Sequence, residues 1–297
     1  VTAGIVAGIL KDGSADAARD ETFDRRGAVL LAGCFGPMLF AITHWHKWGY
    51  TSPLILFCVC LSLVSAVGLI WFESRICYPI FEPSLLRIRL FILPALATIF
   101  LFLSLFSMIF LIPFYLIHPC RFSVNQVGYI MVTPFAFLFV FSPISGMISD
   151  RIGSQILCTL GMGIVFAGLF ALSRLSPTHT AFPIVWRLAL VGIGTAIFIS
   201  PNNAIVMSAV PPEHMGVASG TLATARNLGM VLGIALAGTL FNMAFHSFSG
   251  GLSLKIYGPE LEGAFMDAFR YAMFSGAVMA GMGAITAFLR GKEKIKK

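Results

Sequence analysis

Charge is what this sequence has least of. Charged residues make up 11% of its 297 positions, against roughly 25% in an ordinary soluble domain, so a water-facing globular class is excluded. Acids are scarcer than bases, with 13 Asp and Glu against 20 Lys and Arg. No acid falls near the middle of a long apolar run; Asp150, Glu213 and Asp267 all stand at run ends. The six cysteines, Cys34, Cys58, Cys60, Cys77, Cys120 and Cys158, form no CxxC pair. Most lie within apolar runs, where a free thiol behaves as a small hydrophobe, so a metal or redox role has no support. The chain carries no GxxxxGK[ST] phosphate loop and no nucleophile–base arrangement, which removes support for ATP-driven or enzymatic action. The net charge of +7 is not gathered into a basic patch interleaved with aromatics, so nucleic acid is not a partner. His44-Trp45-His46 and Trp48 lack the three or four convergent ligands of a metal site and read as interfacial aromatic anchors.

What the chain has instead is apolar length. Hydrophobic residues make up 58% of it, 28 Phe and 29 Gly among them, with a mean hydropathy of +0.89. Eight apolar runs are long enough to span a bilayer, which takes about 20 residues of helix. They cover residues 27–46, 52–72, 91–117, 124–148, 154–173, 182–210, 216–245 and 265–289. None alternates with period 2, and in lipid a helix is the one open-ended way to satisfy the backbone. The fold class is an all-α integral membrane protein with eight transmembrane helices.

Charge then sets direction. Eight crossings leave 13 of the 20 Lys and Arg on the side of the two chain ends, six on the other side, and Arg226 inside a span. The positive-inside rule therefore places both ends in the cytoplasm. Residues 1–26 read as the end of a preceding helix, because 1–10 is apolar but half a span long, followed by a polar cytoplasmic linker. Residues 27–72 hold two spans. The stretch 73–90 mixes apolar and basic residues and reads as an interfacial connector. Six further spans fill 91–290, and 291–297 is a basic tail.

Three clusters carry candidate chemistry. The first is a short charged loop between two spans, Gly146 to Gly153, in which Asp150 and Arg151 can bond neighbouring helix termini. The second is the seventh span, where Gly216/Gly220 and Gly229/Gly233 are small-xxx-small pairs that let another backbone approach. They read either as static packing or as a surface on which helices rock. Arg226 in the same span lies about 15 Å along the helix from Gly216, where a charge must face a cavity or a partner. Its two readings are a cavity-lining cation and an arginine bonding backbone carbonyls. The third cluster is Ser200-Pro201-Asn202-Asn203, whose proline interrupts the helix ladder. Its amides either re-satisfy freed groups or line a polar path. Pro94, Pro113, Pro134 and Pro143 read as further kinks.

Together these residues resemble the major facilitator superfamily, and within it the 14-helix drug:proton antiporter branch. Gly146, Asp150, Arg151 and Gly153 are similar to its signature cytoplasmic loop, with Gly128, Pro134 and Pro143 leading in. Gly216, Ala218, Ser219, Gly220, Arg226, Gly229 and Gly233 resemble the branch's penultimate span. Phe23-Asp24-Arg25-Arg26-Gly27, Trp48-Gly49-Tyr50-Thr51-Ser52 and Glu73-Ser74-Arg75 resemble its central turns. The likeness runs from about residue 1 to 290. It departs after Gly153, where Ser154 and Gln155 stand in place of the basic residues common in the family. The resemblance implies two extra central helices followed by a C-terminal six-helix bundle of 3+3 inverted repeats. It implies a partner N-terminal six-helix bundle of the same protein, and proton-coupled efflux of a small lipophilic substrate by alternating access. The energy source would be the proton gradient, with no cofactor, in a lipid-embedded, multi-pass plasma (inner) membrane protein. On this basis Gly146, Asp150, Arg151 and Gly153 form a gating loop, and Arg226, Asn202 and Asn203 line the substrate cavity. Gly216, Gly220, Gly229 and Gly233 form a helix-packing hinge. Two other functions stay open: a facilitator-type transporter of a specific metabolite, siderophore or lipid, and a non-transporting truncated remnant.

Overall fold

A chain with so few charges has to close its backbone hydrogen bonds within itself, and it does so as helix. The computed structural model describes residues 25–48, 52–73, 88–177, 180–211, 214–250 and 258–291. Within them lie eight α-helices: α1 (Arg25–Trp48), α2 (Pro53–Glu73), α3 (Arg89–Ile117), α4 (Val124–Ile152), α5 (Ser154–Ser173), α6 (Phe182–Ser208), α7 (Met215–Phe248) and α8 (Glu262–Leu289). A single 3-10 turn at Pro259–Leu261 leads into α8. The expected linker before residue 25, most of the 73–90 connector and the tail from 292 lie outside the described residues. So do the side chains of Trp45, His46, Trp48 and Asp150.

Six helices, α3 to α8, are long and apolar enough to cross a membrane. The α1–α2 pair stands apart from them. These two helices pack chiefly on each other, with Ser62 Oγ donating to the Cys34 carbonyl at 2.6 Å, and α1 also touches α7. Among its described residues α2 carries an apolar stretch over Pro53–Gly68.

The six-helix bundle has an internal logic of contacts. Its largest interfaces are α5 with α6, α3 with α7, α5 with α8, α4 with α6, and α3 with α8. Exchanging the first three helices for the last three turns α3·α7 into α6·α4 and α5·α6 into α8·α3, and it leaves α5·α8 as it is. The core follows the same helices. Leu101, Met108 and Tyr115 of α3 meet Met162 and Leu169 of α5, Leu188 of α6 and Phe269 and Met273 of α8, all at 2% exposure or less. In contrast α4 turns most of its apolar surface outward, with Phe139 84% exposed and Tyr129 80% exposed.

Small residues make the tightest of these interfaces possible. A Cβ on Gly229 would fall 2.6 Å from the Ile99 carbonyl oxygen, and one on Gly233 would strike the Leu103 carbonyl. Likewise a Cβ on Gly161 would lie 2.8 Å from the Gly194 carbonyl oxygen, and one on Gly192 would collide with Pro134. The backbones of α3 and α7, α5 and α6, and α4 and α6 therefore touch, as small residues permit in membrane bundles.

One expectation needs correction. The stretch from Gly146 to Ile152 is not a loop but the last two turns of α4. Asp150 and Arg151 do not break a helix, and a basic residue in the last turn suits the negative end of the helix dipole. The whole turn between α4 and α5 falls to Gly153, at φ +91° and ψ 146°, with its N–H donating to the Ser149 carbonyl at 3.0 Å. A smaller difference concerns α7, whose 34 residues run about 51 Å, one residue past the expected span at its start and three past its end. Arg226 then lies about 8 Å to the N-terminal side of the helix midpoint.

Candidate functional site

The α7 arginine meets α3 near the latter's middle. Arg226 places its guanidinium carbon 5.4 Å from the centroid of the Phe102 ring, and Phe102 is next to Leu103, the central residue of α3. The glycines Gly229 and Gly233 are what bring the two helices close enough for this contact. Beside it lies a cavity of about 420 Å³ between α3, α4, α6 and α7, within the range of small-molecule sites. Its walls are mainly apolar, with Phe106, Phe135, Met108 and Met230 among them. Its polar members are Arg226, Asn203 and Thr195. The Thr195 hydroxyl donates to the Val191 carbonyl at 2.7 Å, which leaves its oxygen able to accept.

Arg226 is the one charged residue on the described cavity wall. Its Nε is buried and has no hydrogen-bond partner among the described residues. A cation over a ring gains about 0.5–2 kcal/mol, while an arginine in the centre of a membrane helix costs about 2.5–3.5 kcal/mol on insertion scales. The ring contact thus offsets only part of the cost. The reading in which Arg226 bonds backbone carbonyls finds no such bond at Nε.

The other residues expected at the site divide. Asn203 lines the cavity. Asn202 does not: it is 1% exposed, and its Nδ2 donates to Thr98 Oγ1 at 2.9 Å and to the Pro94 carbonyl at 3.4 Å. Successive helical positions point about 100° apart, and that rotation turns Asn202 to α3 and Asn203 to the cavity. Asn202 instead ties α6 to α3 where Pro94 interrupts the helix. Gly216 and Gly220 are the second departure, since a Cβ at either would meet nothing within 4 Å among the described residues. Of the four hinge glycines, Gly229 and Gly233 touch a neighbouring helix, whereas near its N-terminus α7 packs through Ala218 and Leu222 and turns Gly216 and Gly220 away. Gly146 faces Ser200, whose Oγ would lie 3.0 Å from an added Cβ.

At the end of the bundle where α4 passes into α5, the structure assembles a corner from the termini of α3, α5 and α8. The Arg290 side chain is 2% exposed, with Nη2 donating to Ser154 Oγ at 2.6 Å and Nη1 lying 3.7 Å from the Cys158 sulfur. Gln155 Nε2 donates to the Phe288 carbonyl at 2.7 Å, and Arg89 donates to the Leu289 carbonyl. The last carbonyls of a helix have no partner within it, and here two side chains from other helices supply them. Ser154 and Gln155, where this sequence departs from the basic pattern, are thus the residues that receive the end of α8.

Sequence reasoning missed Arg290, Thr98, Thr195 and the glycines of α5 and α6. Arg290 carried no signal beyond its charge. The spacing Gly161-x-Gly163 and Gly192-x-Gly194 was available as a small-residue cue, but nothing local says that Gly161, Gly192 and Gly194 each touch a helix and Gly163 does not.

Six membrane-length helices with a mostly apolar cavity among them define a multi-pass helical membrane protein of the transporter class. Residues 25–234 match the Major Facilitator Superfamily, and the chain belongs to that family of transporters, which is not one of enzymes. Among curated relatives, it is 32% identical over 221 residues to the uncharacterized transporter YebQ of Escherichia coli, covering 74% of this chain and 48% of that protein. It is 28% identical over 224 residues to the multidrug resistance protein Stp of Mycobacterium tuberculosis, covering 75% and 41% respectively. The riboflavin transporter RibZ of Clostridioides difficile is 27% identical over 224 residues, 75% of this chain and 48% of that protein. The chain therefore spans about half the length of the curated relatives it matches. Among solved structures, a bacterial homolog of the human lysosomal transporter Spinster, inward-facing and occupied, superposes with a TM-score of 0.54. It is 16% identical, and the match covers 89% of this chain and 64% of that one. That likeness is one of fold.

Proposed function

We propose that this chain forms the C-terminal portion of a proton-coupled, multidrug-type efflux transporter that works by alternating access. The observation that carries the reading is the cavity of about 420 Å³ between α3, α4, α6 and α7, in a chain similar to a multidrug resistance protein over most of its length. In this proposal α1 and α2 are two additional spans, and α3–α5 and α6–α8 are inverted repeats. The exchange symmetry of the helix contacts supports the repeats. The outward-facing apolar surface of α4 supports a neighbour on that side, assigned here to an N-terminal six-helix bundle of the same protein. Both ends of the chain lie on the cytoplasmic side of the plasma membrane, with membrane lipids around the rest. The proton gradient drives export, and the small lipophilic substrate occupies the cavity beside Arg226 and Asn203.

Gating falls to the junction of α4 and α5. One residue, Gly153, carries the turn, so a rotation of α4 against α5 needs little more than a change at that glycine. Asp150 and Arg151 brace one state by pairing with neighbouring helix ends. Gly229 and Gly233 form the close seam on which α3 and α7 rock.

The test is dye efflux from proton-energised vesicles containing the full-length protein and its Asp150→Ala variant. The wild type should export and the variant should insert normally but lose export. Unchanged efflux in the variant would remove the gating role, and absence of gradient-driven efflux in the wild type would remove the drug-export reading. A second reading, a transporter of one specific metabolite, draws support from the 27% identity to a riboflavin transporter. Saturable transport of one compound with no dye efflux would favour it.

A further inference from the structure

The charge of the cargo follows from what surrounds Arg226, on the premise that the cavity is the export site proposed above. We propose that this cavity takes an aromatic organic anion, a flat ring body bearing a carboxylate or sulfonate, with the oxyanion seated on Arg226.

Four observations converge on this chemistry. Among the described residues no carboxylate lines the cavity, and the carboxylates of Glu260, Glu262 and Asp267 belong to the start of α8 and the turn before it. The positive charge in the cavity is thus not discharged by its own walls. Arg226 lines the cavity, its Nε packed away with no hydrogen-bond partner among the described residues, and the Phe102 ring lies 5.4 Å from the guanidinium carbon. A guanidinium laid against a ring keeps its N–H groups in plane and directed outward, which suits the paired oxygens of an oxyanion. The neutral partners are also placed for an anion. Asn202 is committed to Thr98, so Asn203 supplies the amide at the cavity. The remaining wall is aromatic and thioether, from Phe106, Phe135, Met108 and Met230, a surface that accepts flat rings and adapts to their outline.

A lipophilic cation fits this site poorly. Like charges repel strongly where water is excluded, and nothing on the described walls would turn the balance. An anionic lipid headgroup shares the oxyanion but brings flexible chains in place of a ring, so the two sources can be told apart.

The experiment uses the full-length protein in nanodiscs of purely zwitterionic lipid. Two xanthene dyes serve as probes, an anionic one with a phenolate ring and a free carboxylate and a cationic one with an amine-substituted ring and an esterified carboxyl, and their binding is followed by fluorescence anisotropy. The carboxylated dye should bind and the ester should not. Arg226→Gln should weaken binding of the carboxylate about tenfold to a hundredfold, the loss expected for a charged hydrogen bond. Arg226→Lys should restore part of it. Size-exclusion profiles and helicity of each variant establish that it is folded.

Preferential binding of the ester to the wild type would overturn the proposal. So would carboxylate binding that Arg226→Gln leaves unchanged. Displacement of the carboxylate by an equal concentration of anionic phospholipid would overturn the aromatic preference and assign the site to lipid. Vesicle efflux separates the premise from the inference. Carboxylate binding that needs Arg226, without gradient-driven export, contradicts the export reading alone. Export of both dyes regardless of Arg226 contradicts the anion site alone.

Discussion

Arg290, at a corner proposed to be cytoplasmic, and Arg226, beside the central cavity, are two arginines of this bundle whose surroundings differ. Arg290 reaches back from the end of α8 to the first residue of α5, where Ser154 accepts its hydrogen bond and Cys158 lies alongside. Nearby, Gln155 and Arg89 close the last carbonyls of α8. Arg226 has a ring on one side and a mostly apolar cavity on the other. The same side chain is thus enclosed by polar groups in one place and left facing a cavity in the other. A guanidinium committed to protein atoms holds helices together, and one that lacks them is available to a ligand.

The comparison makes Arg290 the costlier residue to remove. Arg290→Ala should lower stability by about 3 kcal/mol, because it strips a charged hydrogen bond from a buried site and leaves a cavity. Thermal unfolding in detergent, read by size-exclusion fluorescence, would register this as a clear downward shift. An unshifted midpoint would mean that the corner holds nothing, and the contrast with Arg226 would collapse. Arg290→Lys should recover only part, since an ammonium cannot reproduce the guanidinium's spread of donors.

Next in size is the joint beside that corner. Gly153→Ala forces a Cβ onto a backbone at φ +91°, which costs an L-residue about 1–2 kcal/mol. The same melting assay should show a smaller loss than for Arg290→Ala, and vesicle efflux should fall by more than stability explains if Gly153 is the pivot.

The neighbouring amides sharpen the contrast inside the bundle. Asn202→Ala removes a buried bond to Thr98 and should cost about 1–2 kcal/mol. Asn203→Ala, one residue away, should leave the unfolding midpoint nearly unchanged while weakening dye binding. Equal effects on both readouts would mean that the two amides do not divide the work.

The smallest effect on stability belongs to Arg226. Arg226→Leu should shift stability by less than about 1 kcal/mol in either direction, because exchanging an under-bonded buried charge for an apolar side chain is often neutral or favourable. A large destabilisation would instead give Arg226 a structural role like that of Arg290.

Several of these features were readable before any coordinates. The apolar runs mark six of the helices as membrane-length because backbone groups in lipid leave no alternative to closed hydrogen bonding. Arg226 stands out in sequence because a charge inside such a run is costly, and Gly229 and Gly233 because small residues four apart share a face. The loop reading at Gly146–Gly153 failed because Asp and Arg are tolerated in the last turn of a helix as well as in a turn. Asn202 and Asn203 were indistinguishable in sequence, since the rotation of α6 decides which of them meets α3. Gly216 and Gly220 have the same spacing as Gly229 and Gly233, yet at their level α7 turns Ala218 and Leu222, not the glycines, toward α3 and α6.

The sequence by itself determined class and element type: a helical membrane protein, six of its expected spans as membrane-length helices among the described residues, and Arg226 as a charge well inside one of them. These are properties of single segments, set by composition and period. Only the tertiary structure decided that Arg290 is locked while Arg226 faces a cavity, that one glycine carries the α4–α5 turn, and that Asn203 rather than Asn202 reaches the site. Each of these depends on which helix lies opposite and at what height. That is fixed by packing between segments far apart in the chain, where no local pattern reports it.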